Sequence, residues 1–210
     1  MKKLFDMDNP LMRALSAAAD LIVLNFLALL CSLPLVTLGA SWAALSETSL
    51  RLVRGEEGRV GRDFLRAFRA NLRGGIPLGL LFLLAAGLVY FDYLAALTYV
   101  PVLRAGIIAI ALLLLGAAFY AFALQGHFEN TLGGTLKNAA VLAVGYFPRT
   151  AGMLVFAVAM WLLCLKFWRM LLPVLALLGL ALPVYVAAIF LNDVFRKLEQ
   201  GSGDGADRPG

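Results

Sequence analysis

Five long apolar runs, at about residues 16–38, 76–99, 104–126, 149–168 and 170–192, constrain this chain more than any other feature. About 20 apolar residues at 1.5 Å rise cross the hydrocarbon core of a bilayer. Only helices or closed barrels can do so, because every backbone N–H and C=O needs a partner there. The runs are built of Leu, Ala, Val, Ile and Phe without the alternation of a barrel strand, so they predict helices. The chain reads as an all-α membrane protein: five transmembrane helices in a single helical membrane domain over 1–198, then a Gly/Asp-rich tail, 199–210, that reads as disordered. Composition agrees, at 62% hydrophobic and 15% charged residues, where ordinary soluble domains hold about 45–50% apolar residues.

The first run contains Pro34, which removes a backbone donor and clashes with the preceding turn, so this span is expected to kink or break and to resume from about Gly39 to Arg54. A shorter piece, "AAVLAVGYF" at 139–147, ends at Pro148 and reads as an interfacial or half-inserted helix. Cys31 and Cys164 each sit inside an apolar run and read as small hydrophobes rather than a disulfide or metal pair. Small residues four apart, such as Gly75 with Gly79 and Ala117 with Ala121, would permit close helix approach.

Positive charge is concentrated in "RLVRGEEGRVGRDFLRAFRANLRGG", residues 51–75. Arg59, Arg62, Arg66, Arg69 and Arg73 recur at spacings of three and four, which keeps them on one side of a helix, with Phe64, Leu65, Phe68 and Leu72 on the other. Residues 60–73 thus predict a basic amphipathic helix whose apolar side could sit at the acyl boundary and whose cations could meet anionic headgroups or a protein partner. A net charge of +5 on so apolar a chain does not describe a nucleic-acid module, and no nucleic acid is expected. With five spans, six Lys and Arg fall on the side of the N-terminus and the 100–104 and 166–169 turns. Twelve fall on the side of 39–75, 127–149 and the tail. This excess predicts a cytoplasmic C-terminus and an outside N-terminus.

"LPLVTLGASWAAL" (33–45), "LVRGEEGRVGRDFLRAFRANLRGG" (52–75) and "NTLGGTLKNAAVLAVGYFPRT" (130–150) resemble, in order and spacing, the YesL-like family of small bacterial integral membrane proteins. The resemblance implies a five-helix protein of the bacterial cytoplasmic membrane, of unestablished molecular activity. Its relatives tend to be encoded beside carbohydrate ABC transporters. It implies permease or ATPase subunits of a sugar transporter as partners and supplies no catalytic or ligand residues.

Other chemistry is sparse. His127 stands near Glu129 and Asn130 in "QGHFEN", a polar cluster expected at a helix end. A zinc-protease pattern needs two histidines one turn apart, and the chain has one histidine in all, so no metal and no catalytic residues are expected. No phosphate loop or other cofactor motif occurs. Asp92 lies among Tyr90 and Tyr93 in "YFDYLAALTY". Such a group can form an interfacial belt, with Asp92 reaching water or Arg104, or can hold a sugar by stacking and carboxylate contacts. Asn25, inside the first run, reads as a polar contact between helices. The expectation is a non-enzymatic accessory protein in contact with the lipid bilayer. The alternatives are an oligomeric transporter or channel, in which a homo-oligomer would line the path, and a membrane enzyme or its regulator.

Overall fold

The structure is a computed structural model that describes residues 10–56, 58–98, 101–127, 131–167 and 177–203. Seven α-helices occur among them: α1 (Pro10–Ser32), α2 (Leu38–Arg54), α3 (Val60–Thr98), α4 (Arg104–His127), α5 (Leu132–Gly145), α6 (Phe147–Lys166) and α7 (Ala181–Gly203). Three stretches among the described residues are long and apolar enough to cross a membrane, within Leu15–Ser32, Val60–Leu97 and Arg104–Gly126. The pair Leu132–Gly145 and Phe147–Leu163, bent by 93°, makes a fourth if it counts as one broken span. The described residues are therefore all-helical and hold three to four candidate spans rather than the expected five, which makes this a multi-pass membrane protein in contact with the bilayer. The first part of the expected fifth run, 170–176, lies outside the described residues, and α7 carries charged residues from Asp193 onward.

The break at Pro34 falls where the ring chemistry places it. Helix α1 stops at Ser32, a single 3-10 turn spans Leu35–Thr37, and α2 starts at Leu38. The Thr37 hydroxyl lies 2.7 Å from the Cys31 carbonyl and 2.9 Å from that of Pro34, so it serves acceptors that the interrupted helix leaves open. Helix α2 then doubles back along α1, and the Ser41 hydroxyl donates to the Ala28 carbonyl at 3.0 Å.

The helix expected to resume from about Gly39 to Arg54 is α2, the central helix, packed on α1, α3, α4 and α7 with Ala40, Ala43, Ala44, Leu45 and Leu50 buried. Its small residues make this possible. A Cβ on Gly79 would come 2.5 Å from the Gly39 Cα, and one on Gly75 would come 2.7 Å from the Ala40 Cα, so the backbones of α2 and α3 touch. The separate basic helix of 60–73 does not exist as such, because α3 runs unbroken for 39 residues through Pro77. Contact with α2 holds it helical across Gly74, Gly75 and Pro77, where local propensity alone favours a break.

The remaining helices wrap this pair. Asn25, fully buried on α1, accepts from the backbone N–H groups of Leu180 and Ala181 at 2.7 and 3.1 Å, capping the start of α7 from another helix. From there α7 runs beside α2 in the same direction until the Arg54 Nε donates to the Asn192 Oδ1 at 3.1 Å. It continues as helix through Gln200–Gly203, into the segment that composition assigns to a disordered tail. The expected short interfacial helix at 139–147 is also revised. Helix α5 begins at Leu132, is capped by the Thr131 hydroxyl, and buries Thr135, Ala139, Leu142 and Ala143. It ends where Tyr146 and Pro148 turn the chain into α6, and the Thr150 hydroxyl ties the bend together by donating to the Ala143 carbonyl at 2.9 Å.

Candidate functional site

The arginine-bearing half of α3 begins after a turn fixed by Gly55, whose φ of 70° lies in the left-handed region and whose N–H closes α2 onto the Arg51 and Leu52 carbonyls. The Asp63 carboxylate lies against Gly58 in the first turn, where negative charge suits the helix dipole.

From this start the helix has two unlike faces. Phe64 is fully buried, Ala67 and Asn71 are nearly so, and Phe64 and Phe68 stack with ring centroids 6.3 Å apart. The Asn71 amide donates to the Glu47 carboxylate at 3.2 Å and to the Ala67 carbonyl at 3.0 Å, while Arg51 pairs with Glu47 at 3.1 Å. Most of the apolar side thus packs in the protein core, while Leu65 at its edge stays exposed. Arg59, Arg62, Arg66, Arg69 and Arg73 are all exposed. Among the described residues no carboxylate pairs with Arg62, Arg66, Arg69 or Arg73. The structure therefore holds this row of cations outward from a fixed helix.

Between the two faces runs an apolar groove of 490 Å³, lined by Ile22, Val23, Phe26 and Leu27 of α1, Gly61 and Leu65 of α3, and Leu177. At 3.6 residues per turn, Arg62 and Arg69 sit about 40–60° round the helix from Leu65, whereas Arg73, Arg66 and Arg59 lie about 80–120° away. The five arginines accordingly form one stripe about 80° wide, with Arg69 and Arg62 at its edge nearest Leu65.

The aromatic cluster lies in the other half of α3. Tyr90 and Tyr93 line a second apolar groove, of 460 Å³, with Trp42, Phe82 and Phe122. Asp92 is exposed and does not line it. The Arg104 guanidinium donates to the Leu97 carbonyl at 3.1 Å, and among the described residues it forms no ion pair with Asp92. The tyrosines and the carboxylate are thus neighbours in sequence but not partners in one pocket. His127 is the last residue of α4, and Glu129 and Asn130 lie outside the described residues. Among the described residues no group of three His, Cys, Asp or Glu side chains could hold a metal.

Glu47 was missed by sequence reasoning. Its signal was the i, i+4 spacing to Arg51 inside "SETSLRLVR", but its partner Asn71 comes from the next helix.

A family described as "Protein of unknown function, DUF624" matches residues 21–93, the segment that contains α2, the arginine face and the α1 side of the groove. The match links the chain to an uncharacterised family over this unit. No curated protein and no solved structure matches the chain.

Proposed function

We propose that the chain is a non-enzymatic, multi-pass protein of the bacterial cytoplasmic membrane that serves as an accessory component of a carbohydrate ABC-type uptake system, docking permease or ATPase subunits through its arginine face. One observation carries the docking reading: five exposed arginines project from a helix whose opposite side is fixed in the core. A loose surface anchor would spend its apolar side on lipid. Here most of that side is used within the protein, and Arg59, Arg66 and Arg73 remain for a partner. The resemblance to YesL-like proteins supports the carbohydrate context. Uptake of labelled sugars should fall in cells lacking the protein and return with the wild type but not with Arg59→Glu/Arg66→Glu/Arg73→Glu. Flux of sugars into liposomes holding this chain alone would favour the oligomeric transporter instead.

If the chain crosses five times, the Lys and Arg excess supports a cytoplasmic C-terminus and an outside N-terminus. In intact cells, a cysteine at position 2 should react with an impermeant maleimide, whereas one at position 206 should react only after lysis. Protection of both until lysis would contradict that topology and make α2, which doubles back along α1, a full crossing.

A further inference from the structure

We propose that the groove between α1 and the basic half of α3 is a binding site for an anionic phospholipid, with an acyl chain against Ile22, Val23, Phe26 and Leu65 and the phosphate on Arg62 and Arg69. Two independent features meet here. The groove walls are apolar, Phe26 is 65% and Val23 is 45% exposed, and the α1 wall belongs to a stretch apolar enough to cross the membrane. This wall faces hydrocarbon, so an acyl chain is the occupant its surroundings supply. The rim is cationic: Arg62 is three residues before Leu65 and Arg69 four after it, the spacings that make residues neighbours on a helix surface.

Neither guanidinium has an ion pair among the described residues. A guanidinium fork matches phosphate oxygens two at a time, and beside hydrocarbon such a pair loses little to competing water. Gly61 provides the room. A Cβ there would meet Leu27 Cδ1 at 3.7 Å and Val23 Cγ1 at 3.8 Å, ordinary contacts, so a larger side chain at 61 would enter the groove without striking backbone.

A neutral lipid would use the groove and leave the rim unused, whereas an acidic protein would use the rim and leave the groove unused. Only an anionic amphiphile uses both. The site draws on Arg62 and Arg69, and the docking proposed above is tested on Arg59, Arg66 and Arg73, so either can fail alone.

The test is native mass spectrometry of the purified full chain, titrated with phosphatidylglycerol or phosphatidylcholine of identical acyl chains. The wild type should retain phosphatidylglycerol over phosphatidylcholine by about tenfold or more, given the usual gain per basic residue near anionic lipid. Arg62→Gln/Arg69→Gln should bring that ratio near one, and Arg59→Gln/Arg73→Gln should leave it largely intact. Gly61→Leu should lower retention of both lipids. Equal retention of the two lipids by the wild type, or an unchanged ratio in Arg62→Gln/Arg69→Gln, would overturn the proposal. So would undiminished binding in a folded Gly61→Leu protein. If Gly61→Leu does not accumulate, the arginine variants decide alone.

Discussion

Gly79→Val should cost about 3 kcal/mol or more and separate α2 from α3, the top of the usual range for overpacking because the obstacle is backbone. A Cβ at this position would lie 2.5 Å from the Gly39 Cα and 2.7 Å from the Gly39 nitrogen, and neither atom can rotate aside. Gly87, eight residues on in the same helix, has nothing within 4 Å of such a Cβ. Gly87→Val should therefore change stability by well under about 1 kcal/mol, since it carries the β-branched penalty but relieves the cost of glycine. Apparent melting temperatures of the detergent-purified variants measure the contrast. Equal melting of the two would mean that α2 and α3 do not pack backbone to backbone.

Asn25→Leu is the second large effect. The Asn25 Oδ1 accepts two backbone N–H groups at the start of α7, and its loss removes the acceptor of a buried one, Ala181, and a part-buried one, Leu180. Each buried unsatisfied group costs about 1–3 kcal/mol, so the variant should lose about 2–6 kcal/mol. In a soluble core the added leucine could offset part of this by leaving water. In a bilayer it cannot, because lipid tails are as apolar as the protein interior. The loss should also be local. Trypsin should cut the α7 side of the variant faster than the α1–α3 unit, whereas in the wild type the two should resist alike. An unchanged cleavage pattern together with an unchanged melting temperature would rule out the cap as a structural support.

The first three apolar runs, the break at Pro34, the restart near Gly39 and the one-sided arginines were legible, because each follows from a local rule: bilayer thickness, proline geometry or helical spacing. Asn25 was legible as a contact between helices, though not as a cap on α7. The continuity of α3 was not legible, because Gly74, Gly75 and Pro77 argue locally for an end and only the fit of Gly75 and Gly79 onto α2 overrides them. Nor was the central place of α2. Ser41, Glu47 and Thr48 look like surface residues in sequence. In the fold, Ser41 bonds to α1, Thr48 donates to its own helix at the Ala44 carbonyl at 2.8 Å, and Glu47 meets Asn71 of α3. The aromatic cluster shows the opposite failure. Tyr90, Asp92 and Tyr93 are adjacent in the chain, but helical rotation turns Asp92 away from the groove the tyrosines line.

Which edge of the arginine stripe borders a groove could not be read from spacing either, since it depends on where α1 packs. The groove runs beside Leu65, and Arg62 and Arg69 are the arginines nearest that residue on the helix. That difference lets partner docking and lipid binding be examined by different substitutions on one helix.

Docking of transporter subunits on the exposed arginines can be read by crosslinking of the tagged chain in native membranes, followed by mass spectrometry of what is captured. The wild type should capture permease or ATPase subunits of a sugar transporter, and Arg59→Glu/Arg66→Glu/Arg73→Glu should lose them while still inserting. Capture of nothing but further copies of this chain, or capture of the same subunits by the charge-reversed variant, would contradict it.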